Sequence, residues 1–408
     1  MKIRSITCFY DPSARYALRT LGQLGKFARA ARQRFESAGY AVQTTRLAAP
    51  PFPRLAPTCC DQSAIQLAQT LEAQAAAEGF DYLSLGPALP EYPQSYALIP
   101  EMIAATRQVF FGGLLTAAGQ GVNLPAVRAC AEVITRAASI TPDGFANLRF
   151  AALANVPAGG PFFPAGYAAP GAGPAFALAL ETADEAQAAF TAAPDLPAAL
   201  ASLMTRLNAA AAELAALSAG LAQEYGLDFT GLDASTAPHP RPDCSIGAAL
   251  ERLGGAPLGC AGSLAGAAQL AAALGSGRWP HVGFNGLMLP VLEDATLAAR
   301  AAEGSLTVKD LLMFSAVCGA GLDTLPLPGD TPTDALAALL FDVAALAVRL
   351  NKPLTARLMP IPGQRAGDPT AFQFDYFANS RVMRLDAPAA PGLSAPGWVD
   401  IERLKFEI

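Results

Sequence analysis

KIRSITCF at residues 2–9 and YAVQTTRL at residues 40–47 are two runs that alternate as β-strands do, and they decide the fold class of this chain. Between them, residues 18–38 place apolar side chains at three- and four-residue steps, which is the period of an amphipathic helix. Gly39 follows this helix as a stop signal. A strand, a helix and a second strand in this order form a parallel pair with a helical crossover. The opening residues therefore predict a parallel α/β sheet.

The same alternation continues along the chain. Further strands are expected at 81–88, 147–156, 176–181, 226–236, 281–291 and 355–362, with helices at 61–79, 97–109, 124–137, 184–224, 245–254, 262–275, 295–303, 307–316 and 333–350. Two Gly/Pro-rich stretches, 157–174 and 318–331, are expected to be loops. So many βα units favour a closed or nearly closed barrel over a small open sheet. One domain over residues 1–408 is expected, with a Pro/Gly-rich tail from about residue 385.

Composition excludes several classes of protein. The 408 residues are 52% hydrophobic and 15% charged with a net charge of −6, which excludes intrinsic disorder and argues against a nucleic-acid partner. The longest apolar helix is interrupted by Asp342 and is too short for a membrane span, and no secretory signal is visible. Seven cysteines without a CxxC pair suggest reduced thiols and a cytoplasmic protein. The low charge makes a homodimer the expected assembly.

Candidate chemistry concentrates between residues 281 and 368, where glycines and polar residues separate apolar runs. Asp323 and Asp330 offer carboxylates as acids, bases or metal ligands, and Arg357 offers an anchor for an anionic group. A small-molecule ligand is expected here because backbone N–H groups approach ligands closely at glycines. The glycines proposed for ligand binding are Gly319, Gly321 and Gly329. Turn formation and helix capping explain the same residue types equally well.

Four further residues have a functional and a structural interpretation. Glu293 and Asp294 are adjacent, so on a helix they cannot face one another as a dyad; one of them could reach a metal, or the pair could simply favour the helix N-terminus. Cys318 precedes a glycine and is a candidate nucleophile, although a buried cysteine usually serves as a small apolar residue. Asn285 in the GFNG segment is a candidate ligand-binding residue.

Asp233 and His239 share one loop and form the candidate metal site. A histidine and carboxylates are ligands for divalent transition metals, so a divalent cofactor is a possibility that this loop raises. No HxH or HExxH spacing supports it, and a single histidine in a Pro-rich loop is more often structural. The chain also lacks the phosphate loop of P-loop NTPases, the GxSxG elbow of α/β-hydrolases and a GxGxxG between strand and helix.

Long segments resemble a known family. GFNGLMLPVLEDATLAAR (283–300), VCGAGLDTLPLPGDT (317–331) and KPLTARLMPIPGQRAGD (352–368) look like the C-terminal signature of the family called domain of unknown function 711. NLRFAALANVPAGGPFFPAGY (147–167) and DASTAPHP (233–240) resemble it in the same order. The resemblance covers nearly the whole chain.

The resemblance implies a fold more than a function. Members of this family look like the barrel of pyruvate formate-lyase and ribonucleotide reductase, with ten strands in two parallel five-stranded halves. Those relatives use a cysteine on a loop inside the barrel, and some use a C-terminal glycine as a radical site. The tail of this chain reads SRVMRLDAPAAPG, without the RVxGY signature of glycyl-radical enzymes. We therefore expect a ten-stranded α/β barrel of this type without glycyl-radical chemistry.

Two ligand-dependent functions fit these observations, beside a purely structural oligomer whose loops would lie in a subunit interface. The first is an enzyme that acts on a small polar or anionic metabolite at the mouth of the barrel, either with or without the assistance of a bound metal. The second is a non-catalytic metabolite-binding or regulatory protein that uses the same mouth. The reaction and the cofactor are not specified by the sequence.

Overall fold

The structure, a computed structural model, describes residues 1–55, 61–386 and 397–401. The expected Pro/Gly-rich tail lies mostly outside the described residues, as do Cys59 and Cys60. In the described part of the chain, no helix is both long and apolar enough to span a bilayer.

A nine-stranded sheet forms the centre of the molecule. Its spatial order is β10-β11-β7-β4-β3-β2-β1-β8-β9, and a three-stranded sheet of order β12-β6-β5 lies beside it. The strands are β1 Lys2–Phe9, β2 Val42–Ala48, β3 Tyr82–Ala88, β4 Val109–Leu114, β5 Thr116–Ala117, β6 Gly121–Asn123, β7 Phe150–Ala154, β8 Ala175–Glu181, β9 Asp228–Asp233, β10 Gly321–Pro328, β11 Leu354–Ile361 and β12 Trp398–Val399.

Two antiparallel junctions divide the large sheet into three parallel groups. Strands β1, β2, β3, β4 and β7 run parallel to one another. β8 pairs antiparallel with β1 and parallel with β9, while β11 pairs antiparallel with β7 and parallel with β10. The predicted α/β class with a mostly parallel sheet is confirmed.

Helices cover the outer face of this sheet. They are α1 Ala17–Ser37, α2 Phe52–Leu55, α3 Asp61–Ala77, α4 Ser95–Ala105, α5 Leu124–Ala138, α6 Ala183–Ala192, α7 Leu196–Tyr225, α8 Ile246–Gly254, α9 Ser263–Gly275, α10 Ala295–Glu303, α11 Val308–Ser315 and α12 Thr333–Arg349. The predicted face of α1 is buried in the main core, including Leu24, Phe27 and Phe35. The single helical region expected at 184–224 is two helices, because the Asp195 side chain accepts a hydrogen bond from the Ala198 N–H and begins a new helix.

The inner face of the sheet is covered by irregular chain. Residues of the predicted loop 157–174 pack in three small apolar clusters on this face. The Ser5 and Thr7 hydroxyls of β1 both donate to the Pro161 carbonyl, at 3.3 and 2.9 Å. The loop is therefore held inside the fold rather than on its surface.

The sequence-based prediction is wrong at β4. A helix was expected over 97–109, but α4 ends at Ala105 and strand β4 begins at Val109. The strand is buried along almost its whole length, so it lacks the polar alternation that marks a half-buried strand. Gly112 and Gly113 allow close packing there, since a Cβ atom on Gly113 would lie 2.5 Å from the Cys130 sulfur.

The expectation of a loop over 318–331 is also wrong, because β10 occupies Gly321–Pro328. Prolines at 326 and 328 indicated a loop, yet proline is tolerated on an edge strand, and β10 is the last strand of its sheet. The ladder is irregular between Leu322 and Leu325, where Thr324 has a φ of 43°. Asp323 therefore lies on a strand.

The segment 281–291 is not a regular strand. Asn285 and Gly283 adopt positive φ values and interrupt any ladder. His281 makes an isolated parallel bridge to Leu232 of β9, and Pro290 makes another to Asp323 of β10. The segment therefore touches both end strands of the large sheet, but in the described residues no continuous ladder joins them.

Candidate functional site

A cavity of about 90 Å³ lies between the inner face of the sheet and the irregular chain that covers it. This volume is several times the roughly 10–15 Å³ that one water molecule needs. Its lining residues are Arg4, Gln43, Thr44, Arg46, Tyr82, Phe110, Leu148, Ala151, Phe162, Phe163, Pro164, Ala165, Ala237, Pro238, Phe284, Met288, Pro290, Glu293, Ala320, Asp323, Thr355, Arg357, Phe374 and Tyr376. Apolar and aromatic walls with a few charged groups are typical of small-molecule sites.

One wall of the cavity is an array of ion pairs. Glu293 accepts hydrogen bonds from Arg4 and from Arg357, the latter at 2.8 Å. Arg357 Nε also donates to Asp323 Oδ1 at 2.6 Å, and Arg4 Nη1 donates to Glu181 Oε1 at 2.7 Å. Each of these two arginines therefore contacts two carboxylates, which is the condition under which buried charges are tolerated.

The other wall carries Arg46 of β2, which has no carboxylate partner among the described residues. Its Nε donates to Thr44 Oγ1 at 3.0 Å. The guanidinium lies over the rings of Tyr82 and Phe163, at 5.8 and 5.3 Å from their centroids. Its two terminal nitrogens make no hydrogen bond to the described residues, although the residue is only 7% exposed. They are donors available to a ligand.

The environment shifts the pKa of the charged groups in different directions. Burial raises the pKa of Asp323, with the Glu293 charge adding to the effect against the opposing charge of Arg357. Burial alone would raise the pKa of Glu293, but Arg4 and Arg357 together hold it below its usual value. Burial, reinforced by the Arg4 charge, lowers the pKa of Arg46 to about 9. Of the two described carboxyls that line the cavity, Asp323 is therefore the one whose pKa is raised and Glu293 the one whose pKa is lowered.

Aromatic rings close the cavity around Arg46. Phe110 packs on Tyr82 and Phe163, with ring centroids 5.2 and 5.7 Å away. Phe374 and Tyr376, whose rings are 5.2 Å apart, line it from the C-terminal part of the described chain. The predicted loop 157–174 approaches the start of β10 here, because Phe162 and Ala320 belong to one apolar cluster and both line the cavity.

Three of the predicted site residues line the cavity: Glu293, Asp323 and Arg357. Asp294 does not line it. Its carboxylate accepts from the Ser245 hydroxyl and from backbone N–H groups at the starts of α8 and α10, including those of Ile246 and Leu297. Asp330 is exposed in the turn after β10, at the far end of that strand from Asp323.

Cys318 and the predicted glycines do not line the cavity. They contact backbone atoms of neighbouring segments instead. Cys318 is buried, and its sulfur accepts from the Gly321 N–H at 3.2 Å. Gly319 packs on Gly286 so closely that a Cβ on Gly319 would lie 2.7 Å from the Gly286 Cα. Gly329 similarly lies against the backbone of β11. These residues allow chain segments to approach one another.

Asn285 and Asp233 form a structural network. The Asp233 carboxylate accepts from the N–H groups of Phe284 and Asn285 at 2.6 and 3.0 Å and from the Ser235 hydroxyl. The Asn285 side-chain oxygen accepts from the Trp279 indole at 2.8 Å. These bonds attach segment 281–291 to the end of β9, and neither residue lines the cavity.

His239 lies in a separate small cleft with Glu181 and Cys244. Burial lowers its pKa, and its ring packs edge-on against Tyr376. Over residues 1–55, 61–386 and 397–401, no three His, Cys, Asp or Glu side chains are grouped as a metal site requires. The predicted metal role of Asp233 and His239 therefore gains no support from their positions.

The residues that sequence reasoning missed are those of the first two strands. Arg4 lies on β1, and Gln43 and Arg46 lie on β2, in segments that were predicted only as strands. A usable signal was present, because an arginine within a strand of a central sheet requires a partner or a function when it is buried. Tyr82, which is paired in register with Arg46, gave no such signal.

The fold and the cavity define a class of mixed α/β proteins with a charged site enclosed against the inner face of a mostly parallel sheet. Within this class, the chain belongs to the family described as Uncharacterised ACR (DUF711), whose profile matches residues 1–378. It is 34% identical over 390 residues to a protein of Pyrobaculum arsenaticum named UPF0210 protein, covering 90% of this chain and 84% of that one. A UPF0210 protein of Methanopyrus kandleri is 31% identical over 331 residues, covering 75% of this chain and 71% of that one.

Proposed function

We propose that this protein is an enzyme that binds a small organic anion in the interior cavity and exchanges a proton with it through Asp323. The observation that carries the proposal is Arg46, a buried guanidinium without a carboxylate partner among the described residues. A buried charge is unfavourable unless it is paired. A ligand carboxylate or phosphate would supply the missing partner.

The surrounding groups support an anion rather than a cation. Among the described residues, three arginines (Arg4, Arg46 and Arg357) and two carboxylates (Glu293 and Asp323) line the cavity. Both of these carboxylates already contact Arg357. An arginine presents donors in a planar fork that fits carboxylate and phosphate oxygens. The aromatic rings around Arg46 provide apolar surroundings that would strengthen such a contact.

Asp323 supports catalysis because three properties coincide there. Burial raises its pKa above the ordinary value of a carboxyl, which favours proton exchange. Its side chain is 17% exposed, more than those of Glu293 and Arg357 at 8% each. Its hydrogen bond to Arg357 fixes its orientation.

We also propose that the sheet closes into a ten-stranded barrel of the pyruvate formate-lyase type, with segment 281–291 between β9 and β10. The two isolated parallel bridges of His281 and Pro290 support this arrangement. The loop 157–174, which follows the fifth parallel strand, would then enter the barrel. Thiol chemistry is not part of the proposal, because loop 157–174 contains no cysteine and Cys318 is not in the cavity lining.

A binding assay on the purified full chain tests the anion site. Acetate, succinate, malate and glycerol phosphate are titrated while the melting temperature and the heat of binding are recorded. We expect at least one of these anions to bind to the wild type and not to Arg46→Met. The matched control is Arg384→Met, since Arg384 is exposed and paired with Asp386. Equal binding by both variants would remove the basis of the proposal.

A non-catalytic binding protein is the second candidate. The ion pairs that occupy Glu293 and Asp323 favour it, because a paired carboxylate is a weaker base. NMR of a bound anion after long incubation separates the two functions. Turnover that is lost in Asp323→Asn with binding retained indicates the enzyme, whereas an unchanged anion that still raises the melting temperature indicates the binding protein.

The expected homodimer stays a prediction, which light scattering on the same sample tests.

A further inference from the structure

A tyrosine lies beside Arg46 on the neighbouring strand of the large sheet. Tyr82 begins β3 and is the register partner of Arg46 on β2, and the side chains of directly paired residues project from the same face of a sheet. The Arg46 guanidinium lies 5.8 Å from the centroid of the Tyr82 ring, and both residues line the interior cavity. Tyr82 therefore faces the cavity next to Arg46.

The phenol oxygen of Tyr82 makes no hydrogen bond to the described residues. It is still accessible, because it is not one of the partnerless side-chain atoms that the described part of the chain encloses completely. Burial raises the pKa of this phenol against the opposing charges of Arg46 and Arg4, so the oxygen lies close to both guanidinium groups. The raised pKa also keeps the proton on the phenol at neutral pH, and the group is therefore a free donor at the cavity wall.

We infer that Tyr82 binds the anion together with Arg46, so that its phenol donates a hydrogen bond to the same carboxylate or phosphate that the terminal nitrogens of Arg46 hold. This inference rests on the proposed function and adds a second binding residue to it. A carboxylate offers about four lone-pair positions on its two oxygens, of which an arginine fork occupies two. The remaining positions are available to a neighbouring O–H donor.

The phenol suits this contact because it donates without adding a charge. Arg4 and Arg357 already contact carboxylates, so the anion is left to Arg46. A second cation beside Arg46 would make the burial of its charge more costly in the empty cavity. A neutral O–H group avoids this cost and still makes a strong, charge-assisted hydrogen bond when the anion is bound.

Tyr82→Phe tests the contact because it removes only the hydroxyl. The full chain is titrated by calorimetry with whichever of acetate, succinate, malate and glycerol phosphate binds to the wild type. We expect the variant to bind this anion about 10- to 100-fold more weakly, which is the effect of one hydrogen bond to a charged group. The urea midpoint should be unchanged, because the hydroxyl has no partner among the described residues.

Tyr16→Phe is the matched control. Tyr16 also lies beside an arginine, with the Arg15 guanidinium 5.3 Å from its ring centroid, but it is 62% exposed and does not line the cavity. Its affinity for the anion and its urea midpoint should both equal those of the wild type.

The outcomes separate this inference from the proposed function. If the wild type and Tyr82→Phe bind an anion equally well and Arg46→Met does not bind it, the inference is overturned and the anion site stays intact. A Tyr82→Phe protein that loses stability together with binding also overturns the inference, since the hydroxyl would then support the fold. If the wild type binds none of the four anions at millimolar concentration, both the inference and the proposed function are wrong.

Discussion

The two walls of the cavity use arginine in opposite ways. On the wall formed by β10, β11 and the chain before α10, Arg357 contacts two carboxylates and is satisfied within the protein. On the β2 wall, Arg46 has the same burial but only a hydroxyl partner. Under the proposed function, the first wall is a structural support and the second is preorganised for a ligand.

Glu293 and Asp294 repeat this contrast at neighbouring positions. Glu293 points into the cavity and joins Arg4 to Arg357. Asp294 points away from it and caps the starts of α8 and α10. One buried carboxylate thus organises charges, while the next joins two helices. Substitutions at both positions, and at Arg46, test whether the walls differ as described.

The largest expected effect belongs to Glu293→Gln. The neutral side chain leaves Arg4 and Arg357 each with one carboxylate fewer in a buried site, and breaking such pairs costs about 3–5 kcal/mol. The urea midpoint should fall accordingly, with the slope of the transition unchanged.

Glu303→Gln is the control for this measurement, because Glu303 pairs with Arg300 while its side chain is 55% exposed. Exposed pairs contribute at most about 1 kcal/mol. Similar midpoints for the two variants would mean that Glu293 is not the support of the paired wall.

A smaller loss of stability is expected for Asp294→Asn. The amide keeps one oxygen for the helix starts but loses the charge that several N–H groups share, at a cost of about 2 kcal/mol. Anion binding should be unchanged, because Asp294 does not line the cavity. Circular dichroism melts and the calorimetric titration measure the two properties, and a loss of binding without a loss of stability would contradict this assignment.

Much of the fold follows from the sequence because helix periodicity is local. The buried face of α1 and the strands β1, β2 and β3 appear where apolar spacing puts them. The misassigned elements depend on long-range contacts. β10 is a strand despite its prolines because it lies at the edge of the sheet, a position that no local pattern reveals.

The site was predictable only in part for the same reason. Asp323, Glu293 and Arg357 were selected because polar residues interrupt apolar runs in one region of the chain. Arg46 lies almost 250 residues before Glu293, and only the sheet order and the loop across its inner face bring both to one cavity. Asp330 met the same sequence criteria as Asp323, but the length of β10 separates the two carboxylates.

Arg46→Met should make the protein more stable. A methionine fills similar space without a buried, partnerless charge, and such replacements stabilise by about 1–2 kcal/mol. The same variant should lose anion binding, which is the usual cost of stability gained at a functional site. Denaturant midpoints and titrations on one preparation measure both effects. A destabilised variant would show that Arg46 supports the fold, as Arg357 does.

The smallest expected effect is the pH dependence of this gain. Burial lowers the pKa of Arg46 to about 9 in the folded protein, well below its value in the unfolded chain. Between these values the unfolded chain binds more protons at this residue than the folded chain, so the stability of the wild type rises with pH through this window. Below pH 9 the unfavourable burial of the charge is fully present. The advantage of Arg46→Met should therefore be constant from pH 7 to 8.5 and decline by about 1 kcal/mol near pH 10.

Because Arg384→Met alters an exposed arginine, its difference from the wild type should stay flat over the same range. A difference for Arg46→Met that is equally flat up to pH 10 would mean that the guanidinium keeps its proton through a partner, and the contrast between the two walls would then disappear.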